Sequence, residues 1–165
     1  MKTITLFLAI LSCFMNAQQR IFPTPPSLEN KIGTHFPIEH YKNQDGKNFR
    51  NNHLQNKLTL INFWSTTCEP CIEELPYLNK LKEIFGEKVN FIAITHDSKE
   101  KVARFLIKKN FNFQHITDSS QELQSYFTLV RNPMTFILDK SGNIEEITGS
   151  IDESKFNMLL EILNK

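Results

Sequence analysis

The sequence predicts an α/β domain, a sheet containing parallel strands with helices on both faces. Two observations carry that expectation. Short apolar runs of strand length alternate with longer amphipathic stretches along most of the chain. The strand-like runs are also apolar almost throughout, as strands covered on both faces must be. With 165 residues, 40% hydrophobic and 22% charged, the chain suits one globular domain with one core. There is no internal repeat. A net charge of +1 gives neither a nucleic-acid footprint nor an acidic tail.

"MKTITLFLAILSCFMNAQ" joins a basic start to an apolar run from Ile4 to Met15 and exits through Ala17. Residues 1–17 therefore read as a secretory signal peptide. The run is shorter than the roughly 20 residues a spanning helix needs. "ILSC" also resembles a lipobox, which would make Cys13 a lipid-modified N-terminus. Residues 18–31 carry three prolines and read as an extended linker. The remaining residues, 32–165, form the domain.

Within the domain, "YKNQDGKNF" places Asp45-Gly46, a hairpin turn signal, between short strand-like flanks. "LTLINFW" (58–64) is a buried strand. "EPCIEELPYLNKLKEIFG" is a helix with Ile72, Leu75, Leu78, Leu81 and Phe85 at helical spacing, ended by Gly86. "VNFIAIT" is the next strand. "DSKEKVARFLIKKN" is an amphipathic helix capped by Ser98. "FQHIT" is a short strand and "SSQELQSYF" a third helix. "MTFILD" and "NIEEIT" are strands joined by Lys140-Ser141-Gly142, and a helix capped by Asp152 closes the chain. The late hairpin makes one edge of the sheet antiparallel. The pattern leaves the strand order open.

Chemistry concentrates in "NFWSTTCEPCIEELP". Cys68 and Cys71 can be a redox couple, a metal claw or a structural bridge. A structural bridge closing so small a loop adds little stability. A structural zinc site wants two more ligands, and the histidines (His35, His40, His53, His96, His115) show no paired spacing. For redox work the placement suits. Cys68 sits between a strand and a helix N-terminus, where free N–H groups and the helix dipole stabilise a thiolate. Cys71, one turn on, can attack a mixed disulfide on Cys68. Pro70 fits the first helical turn, where its missing N–H costs nothing, and Pro76 should kink the helix. Glu74 lies near the Cys71 face and is either a proton partner for its sulfur or a solvated helix residue. Glu69, between the cysteines, can tune Cys68. Asn132-Pro133 precedes a buried strand and can lie against the cysteines if the bond is cis.

These residues resemble the exported thiol-disulfide oxidoreductases of the TlpA/ResA family. The likeness runs from "IGTHFPIEHYKNQDGKNF" through "LTLINFWSTTCEPCIEELPYLNKL" to "NPMTFILDKSGNI". It implies a thioredoxin fold with an added N-terminal hairpin. It also implies a redox-active Cys68–Cys71 disulfide in which Cys68 attacks and Cys71 resolves. Glu74 matches the glutamate of the family's Cys-x-x-Cys-x-x-Glu-x-Pro pattern, Pro133 its cis-proline, and Trp64 the tryptophan before the site. Thioredoxin's buried aspartate is Asn62 here, which leaves Glu74 as the proton acceptor. The Glu69-Pro70 dipeptide favours a reductant.

The resemblance further implies protein disulfide substrates, apocytochrome c among the candidates, and a membrane thiol reductant as electron donor. The expected protein is a periplasmic monomer without cofactor or bound metal. Competing readings are a disulfide oxidase or isomerase, a copper or zinc chaperone and, more weakly, a peroxiredoxin.

Overall fold

A computed structural model describes residues 26–43, 45–49, 54, 56–127 and 131–165. The signal-peptide reading of 1–17, with Cys13, lies outside the described residues. So does most of the expected linker.

Five strands form one sheet: β1 (Leu58–Phe63), β2 (Val89–Ile94), β3 (Gln114–Ile116), β4 (Met134–Leu138) and β5 (Ile144–Thr148), in the order β3-β2-β1-β4-β5. β1 pairs in parallel with β2, and β2 with β3. β4 runs antiparallel to both β1 and β5. The expected α/β order is therefore present, with the antiparallel edge supplied by the late hairpin. In the β4–β5 turn Gly142 has φ 85°. A Cβ there would stand 3.1 Å from the His35 ring, so this turn requires glycine on two counts.

Side chains alternate across the sheet. Leu60, Phe91, Ala93 and Ile137 join one core cluster, while Ile61, Phe63, Ile92, Ile94, Phe136 and Leu138 join another. The first is covered by α2 (Leu75–Phe85), α3 (Lys99–Leu106) and α5 (Glu153–Leu163), through Leu78, Leu81, Val102, Leu159 and Ile162. The second is covered by α4 (Ser120–Tyr126) and by Leu28, Phe36, Ile38, Tyr41, Phe49 and Leu54 of the N-terminal segment.

The helix after β1 is broken, as Pro76 predicts. α1 (Glu69–Glu73) ends at Glu74, and α2 starts at Leu75 with proline in its first turn. Ser98 accepts the Lys101 N–H to cap α3, and Asp152 accepts the Lys155 N–H to cap α5.

The N-terminal segment departs from expectation in two ways. Pro26–Lys31, the end of the stretch read as an extended linker, is a 3-10 helix, and Leu28 within it is buried. The hairpin around Asp45-Gly46 is only a single bridge, Lys42 with Asn48, and no strand pair is built among the described residues. The turn is held by the Asn43 Oδ1, which accepts the N–H groups of Asp45 and Lys47, and by backbone bonds across it, Asn43 N–H to Lys47 O and Phe49 N–H to Tyr41 O, both 2.8 Å. The segment docks instead on the start of β5, through Gly33 N–H to Ile144 O (2.8 Å) and Ile144 N–H to Thr34 O (2.9 Å).

Phe36 anchors this segment. It is fully buried and packs against the rings of Tyr41, Phe63, Tyr126 and Phe136. Phe36→Ala should lower the unfolding free energy by about 3–5 kcal/mol in urea titration. A loss below about 1 kcal/mol would show that the segment lies outside the cooperative unit.

Candidate functional site

Cys68 is the N-cap of α1, with extended backbone (φ −86°, ψ 102°), and its Sγ accepts the Cys71 N–H at 3.3 Å. The two cysteines are joined as a disulfide with Cα atoms 5.3 Å apart. Cys71 is buried in the first core cluster, whereas Cys68 is only partly covered. Of the two sulfurs, that of Cys68 is thus the more accessible. Pro70 and Glu69 are exposed in the first turn of α1.

The strand end and the loop before Cys68 are tied down at each step. The Trp64 backbone N–H donates to Ile94 O, and its ring packs against Phe105, Phe111 and His115. Ser65 then acts as a hub. Its carbonyl accepts the Cys68 N–H, and its hydroxyl accepts the Thr67 N–H. The remaining amide, Thr66 N–H, donates to Asp97 Oδ2 at 2.7 Å. Asp97 is buried and takes a second bond from the Lys101 ammonium at 2.6 Å. Burial alone would raise its pKa, but the Lys101 and Thr66 donors outweigh burial and hold it at about 2. Sequence reasoning missed Asp97, because "THDSKEK" reads as a solvated polar turn. Its i,i+4 spacing to Lys101 was the available signal.

Glu74 is buried beneath this surface, 1% exposed. Its Oε1 accepts from Asn62 Nδ2 at 2.8 Å, and its Oε2 from the Ile151 N–H at 2.8 Å. Of the two readings left open by spacing, the solvated one is wrong. Asn62, itself fully buried, also donates to Thr135 Oγ1, so one amide ties β1 to the helix break and to β4. Asn62 is thus a neutral donor to the carboxylate, where an aspartate would be a competing acid. Among the described residues each oxygen has one neutral donor and no direct cation. Burial therefore dominates and pushes the pKa from the usual 4.5 up to about 7, against the Ile151 N–H, the Asn62 amide and the Lys155 charge. The Ile151 donor left no trace in the sequence, because a backbone amide brought from 77 positions away has no residue signature.

The Asn132-Pro133 peptide is cis. The pairing of Met134 with Phe63 sets Pro133 at the strand edge beside Trp64 and the loop. Asn132 faces a cleft of about 250 Å³, lined also by His96, Ser120, Leu123 and Gln124. Among the described residues no group of three His, Cys, Asp or Glu side chains is placed to hold a metal ion.

The chemistry available is thiol–disulfide exchange at a reachable Cys68, backed by a buried Cys71 and a carboxyl that titrates near neutrality. Comparison with known proteins agrees. The AhpC/TSA family model matches residues 32–147. The chain is 25% identical over 164 residues to the thiol-disulfide oxidoreductase ResA of Geobacillus thermodenitrificans, covering 98% of this chain and 93% of the relative. It is 30% identical over 138 residues to ResA of Bacillus thuringiensis subsp. konkukian, covering 82% and 78%. A thiol:disulfide interchange protein from Bacteroides sp. superposes with a TM-score of 0.67 at 21% identity, covering 81% of this chain and 91% of that one. The fold is that of thioredoxin, and the chain belongs to the AhpC/TSA family as a ResA-like thiol-disulfide oxidoreductase.

Proposed function

We propose that this oxidoreductase is an exported reductant of protein disulfides, with Glu74 as the proton acceptor of its resolving cysteine. The observation that carries the reading is a buried carboxyl three residues after Cys71, held at about 7 with no direct cation partner. In the reduced enzyme the Cys68 thiolate attacks one sulfur of a substrate disulfide. A mixed disulfide forms, and the first substrate sulfur leaves as a thiolate. Cys71 then gives its proton to the Glu74 carboxylate and attacks the Cys68 sulfur. The second substrate sulfur leaves as a thiolate, both take protons from water, and the Cys68–Cys71 bond remains. Two electrons pass from the dithiol to the substrate. A membrane thiol reductant restores the pair, and apocytochrome c is one candidate substrate.

Trp64 and Pro133 support the substrate groove, and Asn132 extends it towards the cleft at His96. Glu69-Pro70, exposed beside Cys68, sets the direction. Export to the periplasm rests on the signal-like residues 1–17, with a Cys13 lipid anchor as the alternative form. Among the described residues no helix is long and apolar enough to cross a membrane.

Cys68→Ser should abolish reduction of insulin disulfides, while Cys71→Ala should trap substrate proteins as mixed disulfides on Cys68; retained turnover in the first variant would refute the assignment of the nucleophile. The reduction potential should fall near the reductant value of ~−270 mV, and one near ~−120 mV would make the protein an oxidase.

Glu74→Gln should slow exchange by about 10²-fold and remove the rise in rate with pH centred near 7. The same variant has a stability signature. The folded-state pKa of Glu74 is raised, so its stabilising contribution is complete below about 4.5 and is lost as pH rises through about 7. The wild type should therefore lose about 3 kcal/mol relative to Glu74→Gln between pH ~4.5 and ~8. Parallel stability curves for the two proteins would show that Glu74 titrates normally.

A further inference from the structure

Lys155 lies in the first turn of α5, the end of a helix where a cation is disfavoured by the dipole. Its side chain folds back five residues, and Nζ donates to Ser150 O at 2.6 Å. The carbonyl of Ser150 and the N–H of Ile151 belong to one planar peptide unit. That N–H donates to Glu74 Oε2 at 2.8 Å. An ammonium, one peptide and a buried carboxyl thus form a continuous chain from the partly exposed surface to the site.

We propose that Lys155 is a positioning residue for Glu74, acting through the Ser150–Ile151 peptide. This rests on the reading of Glu74 as the proton acceptor. Two effects combine. The charge-assisted bond fixes the peptide plane, so the Ile151 N–H points at the carboxylate without any side chain entering the core. A cation on the carbonyl also polarises the amide and strengthens its N–H as a donor, as hydrogen bonds in series do in a low dielectric.

The groups around Glu74 leave this part to Lys155. From β1 comes the neutral Asn62 amide, and behind it the Thr135 hydroxyl of β4. From α1 comes the Cys68–Cys71 pair, which does not titrate as a disulfide. The cap of α5, Asp152, uses its Oδ1 on the Lys155 N–H. Lys155 is the charge whose field reaches the carboxyl, and it favours the ionised form. Glu74 is thereby kept close to neutrality rather than driven higher by burial. The carboxylate can then still accept a proton at the pH where the enzyme must work.

A loop staple without electrostatic purpose would be served by any donor at position 155, which separates the two possibilities. The Glu74 side-chain carboxyl of the oxidised protein is followed by carbon-13 NMR across pH, a readout independent of turnover. Lys155→Arg keeps both donor and charge and should match the wild type. Lys155→Gln keeps a donor but loses the charge, and should move the Glu74 midpoint upward by roughly half a pH unit. Lys155→Ala should move it at least as far. The gap between wild type and Lys155→Gln should narrow at about 1 M salt. A Lys155→Gln midpoint equal to that of wild type overturns the proposal, whatever Lys155→Ala does. Measuring the exchange rate of the same variants against Glu74→Gln separates the two claims. If Lys155→Gln moves the midpoint while Glu74→Gln leaves the rate profile unchanged, the proton-acceptor reading fails and the positioning effect stands. If the midpoint is fixed while Glu74→Gln alters the profile, the reverse holds.

Discussion

A carboxyl group taken out of water beside a disulfide, with only neutral donors touching it, is the constraint around which this domain is organised. An ionised carboxylate without a partner costs several kcal/mol to bury. At Glu74 that cost is limited by two hydrogen bonds, from the side chain of Asn62 and the backbone of Ile151. Each donor comes from a different part of the fold. Asn62 needs the parallel and antiparallel neighbours of β1 to be in register, and Ile151 needs the β5–α5 connection to close over the helix break. Glu74 itself needs the break that Pro76 imposes. Glu74 thus joins the sheet, the kinked helix and the last loop, and its burial would be unfavourable without all three.

A second buried carboxylate shows what the first lacks. Asp97 has the direct Lys101 ammonium and the Thr66 N–H, and stays ionised at about 2. Glu74 has no cation in contact among the described residues and lies near 7. The two buried carboxylates thus have opposite characters, set by environment alone. Asp97 is a fixed charge that pins the loop leading to Cys68. Glu74, at about 7, can hold or release a proton near neutral pH.

Much of this was legible in the residues, and what was not has definite causes. Strand runs such as "LTLINF", caps at Ser98 and Asp152, and the stop at Gly86 are local signals, and local structure followed them. The Cys68–Cys71 pair was legible because its spacing and its place before a helix are both local. The burial of Glu74 was not, since Ile151 and Asn62 reach it only through tertiary structure. The N-terminal segment misled for a different reason. Asp45-Gly46 does turn the chain, but the pairing across it amounts to one bridge, Lys42 with Asn48, among the described residues, with the Asn43 side chain binding the turn amides. Asp97 was hidden by its polar neighbours, although Lys101 four residues on marked it.

The central claim is that Glu74 and the cysteine pair exchange a proton as the pair changes redox state. Oxidised-minus-reduced infrared difference spectroscopy reads this directly, because a protonated carboxyl and a carboxylate absorb at separate frequencies. With carbon-13-labelled glutamate near pH ~7, the account predicts a protonated-carboxyl band that changes on reduction and is absent from the Glu74→Gln difference spectrum. A Glu74 that remains a carboxylate in both redox states down to about pH 5 would contradict it.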